Sequence, residues 1–219
     1  MSPLPVLHAH PFSSYSWKVL IALYENGTPF ELRLLEDEAS WAELERLWSI
    51  RLMPVLVDGD RTVAEASIII EYLAMVHSGP IELIPSDPDE ALRARFLDRV
   101  FDNYVMAPMQ RIVGNQLRPE GERDPHGVAE ARAKLDRAYR WIDANVPADG
   151  WALGETFTLA DCAAAPSLFY ADWTHPIPED YANTRAYRAR LLAHPSVART
   201  VDEARPYRPY FPLGAPDRD

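Results

Sequence analysis

The sequence predicts an α+β first domain of order βαβαββα followed by an all-helical second domain. Three observations predict it. Short apolar or period-two segments, the pattern of strands, all fall before residue 64, with helical stripes between them. A proline-bearing stretch at 79–88 lacks apolar periodicity. Beyond it, apolar residues recur only at helical spacing. The expected boundaries are 1–78 for the α+β domain, 79–88 for a linker, and 89–219 for the helical domain with an irregular proline-rich tail.

Val6 and Leu7 open a short apolar segment that ends at Pro11, a strand followed by a turn. A helix then starts near Tyr15, with Trp17, Leu20, Ile21 and Tyr24 on one face. Gly27 stops it at the position after the cap, and Pro29 lies just beyond. Phe30 to Leu34 alternates with period two, as a half-buried strand does. Ser40 to Trp48 is a short helix with Ser40 as its expected N-cap. Pro54 opens the run PVLV, and Asp58-Gly59 supplies hairpin chemistry before Thr62-Val63. From Glu65 the sequence EASIIIEYLAMVH is helical again. The first two strands are expected to pair in parallel through a right-handed crossover, and the last two as a hairpin.

In the second domain, Ala91 to about Gln116 reads as one long helix kinked at Pro108. Val128, Ala131, Leu135, Ala138 and Ile142 stripe the next. Further helices cover 158–173, 180–192 and 196–204. The tail ARPYRPYFPLGAPDRD holds too many prolines for a regular element and is expected along the surface.

The 219 residues carry 47% apolar and 25% charged side chains, which suits a globular protein with a sizeable core. The net charge of −11 disfavours phosphate backbones and anionic membranes. No apolar run approaches the ~18 residues of a membrane span. The start MSPLPVLHAH lacks a signal-peptide pattern, so the expected location is cytoplasmic. One cysteine, Cys162, allows no disulfide within the chain, and the six histidines show no ligand spacing, so no metal is expected.

HPFSSYSWKVLIAL, residues 10–23, places Ser13 and Ser16 where a redox helix would carry Cys-x-x-C. Either the hydroxyls only cap the helix, or they serve a sulfur that arrives with a ligand. Four segments in order bear on the choice: FSSYSWKVLIAL, LMPVLVDGD, VAEASIIIEYL and TLADCAAAPSLF. They resemble the cytosolic glutathione transferase family, serine-type, over nearly the whole chain. SSYSW is closest to the zeta pattern among the zeta, tau and theta classes.

The resemblance implies a thioredoxin-like first domain, glutathione as co-substrate and a homodimer. It points to Ser13 as hydrogen-bond donor to the glutathione thiolate, with Ser14 as the alternate. A free thiol titrates near pH ~8.5. One charge-assisted bond plus a helix N-terminus lowers that by roughly two units. The resemblance places Met53 and a cis Pro54 against the cysteinyl backbone. It places Glu65 and Ala66 at the γ-glutamyl carboxylate. Two residues depart from the family pattern. Ala66 stands where a serine hydroxyl is usual, for which Ser67 or water is the expected substitute. Leu52 stands where Lys or Gln helps hold the glycyl carboxylate, with Arg51 or Arg46 as unassigned substitutes. Tyr15, Tyr104, Met109 and Arg111 are candidates for the electrophile pocket, the alternative for each being core packing.

Thr158 and Asp161 form a capping-box pattern with a structural role, and Cys162 beside them reads as a core thiol. The implied reaction is thiolate attack on a small electrophile. The alternatives are a glutathione-dependent isomerisation like that of maleylacetoacetate isomerase, and a binding or scaffold protein that keeps the fold without catalysis.

Overall fold

The computed structural model describes residues 3–219. The first domain runs β1 (Val6–Ala9), α1 (Ser14–Glu25), β2 (Glu31–Leu34), α2 (Glu38–Leu47), β3 (Val55–Asp58), β4 (Arg61–Ala64) and α3 (Ala66–Val76). Its four strands lie in the order β2-β1-β3-β4. β1 pairs with β2 in parallel, from Val6 opposite Glu31 to Ala9 opposite Leu34. β3 is antiparallel to β1 and forms a hairpin with β4 through the two-residue loop Gly59-Asp60. This is the predicted βαβαββα order with its parallel crossover.

Local signals set the helix ends. α1 stops at Asn26, and Gly27 follows at φ 58°, a left-handed conformation that costs a residue without Cβ little. In α2 the cap is Asp37 rather than Ser40. Ser40 is instead the third helical residue: its N–H donates to Asp37 Oδ1 over 2.7 Å, and its hydroxyl faces the Asp37 N–H in return. The sequence contains both partners, and the carboxylate three residues upstream takes the cap.

The second domain contains α4 (Pro88–Val100), α5 (Ala107–Gln116), α6 (Pro125–Asn145), α7 (Leu159–Thr174), α8 (Ala182–Ala193) and α9 (Pro195–Ala204). Pro88, expected to close the linker, is the first residue of α4. The predicted single helix over 91–116 is two helices joined by a π-helical segment, Phe101–Met106. Pro108 follows it by two residues. A proline clashes with the carbonyl four residues back, and widening the preceding turn accommodates the ring. The tail also differs from expectation: Arg205–Tyr210 forms a 3-10 helix, and Phe211 after it is buried.

α7 is buried along all its residues and forms the centre of the second domain. Its N-terminus carries the predicted capping box, with Thr158 N–H donating to Asp161 Oδ2 over 2.9 Å. Asp161 Oδ1 also accepts from the Ala152 N–H and the Tyr187 hydroxyl, so this carboxylate is a structural hub. Cys162 is fully buried, and burial pushes its thiol well above the ordinary value.

The domains share one core. Trp17 of α1 packs against Phe169 and Tyr170 of α7. The Tyr170 hydroxyl donates to Phe12 O over 3.1 Å, which fixes the loop before α1 against the second domain. Lys18 of α1 is fully buried and reaches Asp98 of α4 at 2.7 Å and Asp102 at 2.8 Å. Among the described residues no helix is long and apolar enough to cross a membrane.

Candidate functional site

Two cavities meet at the N-terminus of α1. The first, about 490 Å³, is the more polar, and four pieces of chain line it. α1 contributes Ser13 and Tyr15. α2 and the loop after it contribute Trp41, Trp48, Arg51 and Leu52. Met53 and Pro54 form its floor beside Glu65 and Ala66, and the second domain closes it with Arg99, Asp102, Asn103 and Gln110. The second cavity, about 340 Å³, is apolar: Phe12, Met109, Val113, Leu117, Tyr170 and Phe211 dominate its walls. Ser13 and Gln110 line both.

Ser13 is the N-cap of α1. Its Oγ accepts from the Ser16 N–H at 3.3 Å, while its own N–H donates to His10 O over 2.9 Å. Capping uses an oxygen lone pair, so the hydroxyl hydrogen stays available for donation into the cavity. The helix N-terminus adds partial positive charge at the same point. Ser14 is differently placed. It is buried, its Oγ accepts from Gln110 Nε2 at 3.0 Å, and it lines only the apolar cavity.

The peptide bond between Met53 and Pro54 is cis. Among the described residues, the two non-glycine residues with positive φ are Arg51 (57°) and Glu65 (72°), and both line the polar cavity. Such backbone costs about 1–3 kcal/mol per residue and concentrates at ligand sites. Glu65 caps α3 by position, with no side-chain bond to the helix, so its carboxylate and the free N–H groups of α3 are open to a ligand. Arg51 lies 3.5 Å from Glu45 and 6.0 Å from the Trp41 ring centre.

Other predicted residues lie elsewhere. Ser67 does not replace the hydroxyl missing at Ala66. Successive helical residues point about 100° apart, and Ser67 turns to the second domain, within 2.9 Å of Lys18 Nζ and Asp98 Oδ2. Arg111 faces α6, at 3.4 Å from Asp124 and 3.2 Å from Glu130, outside both cavities. Tyr104 is exposed and lines a separate cavity with Phe96 and Trp141. Tyr104 and Met109 lie five residues apart and line different cavities. Met109 lines the apolar cavity. Tyr15 lines the polar cavity rather than the apolar one; burial, then the charge of Asp102, pushes its phenol up to about 12. It remains a hydrogen-bond donor at neutral pH.

Sequence reasoning missed Trp41, Trp48, Arg99, Asp102, Asn103 and Gln110. Two tryptophans seven residues apart on a short polar helix were a legible signal, since that spacing returns to one face. Among the described residues, no group of three or more His, Cys, Asp or Glu side chains could hold a metal ion.

A family model described as "Glutathione S-transferase, N-terminal domain" matches residues 7–81, and "Glutathione S-transferase, C-terminal domain" matches 125–190. A solved glutathione S-transferase from Methylobacterium radiotolerans, in complex with glutathione sulfonate, superposes with a TM-score of 0.79. It is 30% identical and covers 90% of this chain, which spans 94% of it. A probable maleylacetoacetate isomerase from Vibrio cholerae is 26% identical over 92% of this chain and 97% of its own length. FtsZ-localized protein A from Caulobacter vibrioides is 27% identical over 89% of this chain and 90% of its own.

Proposed function

The chain belongs to the glutathione S-transferase family, and from that premise we propose that this glutathione transferase activates its co-substrate's thiol through Ser13. The observation that carries the reading is the position of Ser13. It caps α1 with a free hydroxyl hydrogen, and it stands where a polar cavity of about 490 Å³ meets an apolar one of about 340 Å³. A thiolate at that junction faces an electrophile held on the other side.

Glutathione fits the polar cavity in one direction. Its γ-glutamyl carboxylate takes the free N–H groups at the start of α3, and its ammonium takes Glu65 and Asp102. The cysteinyl segment lies along Met53 and Pro54. The glycyl carboxylate meets Arg51 between Trp41 and Trp48, where Arg51 takes the role of the cation missing at Leu52. Ser13 donates to the sulfur and the α1 N-terminus favours its charge, so the thiol ionises below its free pKa. Holding both reactants at van der Waals distance supplies the rest of the acceleration.

The apolar cavity favours a small, neutral, aromatic-sized electrophile. No Lys, Arg or His lines it, so a substrate carrying two carboxylates would bury charge without a partner. That chemistry favours conjugation over isomerisation of a dicarboxylate. A homodimer is part of the proposal: Ile68, Met75 and Val76 of α3 and Leu92 and Phe96 of α4 are exposed apolar side chains. So is a cytoplasmic location, where reduced glutathione is plentiful.

Steady-state conjugation of glutathione to a neutral haloarene tests the reading. Ser13→Ala is expected to lower kcat/KM about 10²-fold, with Ser14→Ala close to wild type. Faster turnover of maleylacetoacetate than of any haloarene would overturn the substrate class. Full activity in Ser13→Ala would overturn the role of Ser13.

A further inference from the structure

On the far side of the second domain, a cleft of about 560 Å³ opens between the C-terminal end of α7, α8 and the tail. It shares no lining residue with either cavity around Ser13. Three guanidiniums converge on it, from Arg185 and Arg188 of α8 and Arg218 of the tail. In a chain of net charge −11 that is a local reversal of sign.

Asp172 and Asp219 are the acidic residues of the cleft, and both carboxylate oxygens of Asp172 are engaged. Oδ1 accepts from the Ile177 N–H over 2.8 Å, and Oδ2 accepts from Arg218 Nη1. Asp219, the other acidic residue at the cleft, turns its side chain to Arg205 and Arg208. Arg185 gives one N–H to Ile177 O at 3.1 Å.

Arg188 is the least satisfied. Its side chain is 11% exposed, its Nε donates to Leu168 O at 3.3 Å, and its Nη2 lies 3.4 Å from Asp172 Oδ2 without forming a hydrogen bond. A buried guanidinium nitrogen left unpaired is destabilising. Burial holds this guanidinium below its usual pKa; Asp172 opposes that, and Arg218 and Arg185 reinforce it. An added anion relieves the mutual repulsion of the three guanidiniums.

We propose that this cleft is a binding site for a phosphate group, gripped by Arg185, Arg188 and Arg218. Guanidinium forks match phosphate oxygens in pairs, and three forks suit a dianion with three acceptor oxygens better than a single carboxylate. The volume admits more than inorganic phosphate, so the phosphate of a small phosphorylated molecule fits the same residues.

The test is calorimetric titration of the full chain, in chloride buffer, with inorganic phosphate and separately with glycerol phosphate. One saturable site is expected. Tighter binding of the ester identifies a phosphorylated small molecule as the occupant, and equal or weaker binding identifies the inorganic ion. Arg185→Gln and Arg218→Gln, both exposed positions, should each weaken binding about tenfold or more. Asp172→Asn removes the competing charge, keeps the acceptor for Ile177, and should tighten binding. A merely structural role for these residues predicts loss in all three variants. No saturable binding, binding unchanged in both arginine variants, or weaker binding in Asp172→Asn would each overturn the proposal. Conjugation activity in Arg185→Gln should equal wild type.

Discussion

Gln110 of α5 donates from Nε2 to Ser14 Oγ over 3.0 Å, across the boundary between the two domains. The bond separates two adjacent serines by role. It ties Ser14 down as part of the apolar cavity wall and leaves Ser13, one residue earlier, as the hydroxyl open to the polar cavity. Gln110→Leu should therefore raise KM for the electrophile several-fold and leave the bound thiol pKa unchanged. Separate saturation curves for glutathione and a haloarene read the difference.

Arg51 is held at φ 57° beside Glu45 and Trp41, and it lines the cavity where Leu52 offers no charge. Arg51→Ala is expected to raise KM for glutathione about tenfold, the worth of one charge-assisted bond. Because that contact is the same in ground and transition states, kcat should hold.

Lys18, Asp98 and Asp102 staple the domains together from a fully buried ammonium. Lys18→Met leaves two buried carboxylates with Arg99 as their one remaining cationic partner. It should cost about 3–5 kcal/mol, the usual penalty for breaking one side of a buried ion cluster. Urea unfolding measures it through the shift in midpoint at constant slope.

Glu25, at the end of α1, meets His194 Nε2 at 2.7 Å, between α8 and α9. Burial alone would raise the Glu25 carboxyl, but the hydrogen bond from His194, then Ser196 and the charge of His194, overcome this and lower it. The folded state then binds this proton less tightly than the unfolded chain. The stability it contributes is complete above the ordinary carboxylate pKa and is lost as pH falls through the lowered value. Thermal unfolding from neutral to acid pH should show a steeper decline for wild type than for Glu25→Gln.

Much of the fold was legible because local and long-range demands agree. Short apolar runs, one period-two segment and the Asp58-Gly59 turn marked four strands, Gly27 ended α1, and Thr158 with Asp161 started α7. The segment 101–106 was not legible. Pro108 announces a disturbance, but packing decides which turn absorbs the extra residue. In the site, the first-domain residues Ser13, Met53, Pro54, Glu65 and Ala66 were named through the family resemblance of their segments, and all five line one cavity. Asp102 and Gln110 were not, since they belong to the site only once α4 and α5 dock on α1. Ser67 failed as a substitute for a simpler reason: one step along a helix changes the face.

The central claim is that Ser13 turns bound glutathione into a thiolate. The measurement that tests it most directly is an ultraviolet pH titration of the thiolate band of glutathione on wild type, Ser13→Ala and Ser14→Ala. The account predicts a wild-type pKa roughly two units below the free thiol, a large rise in Ser13→Ala and little change in Ser14→Ala. A wild-type pKa near the free value, or equal small shifts in both variants, would contradict it. Either result would leave Ser13 with only the capping of α1, and absence of glutathione binding would favour a scaffold that keeps the fold.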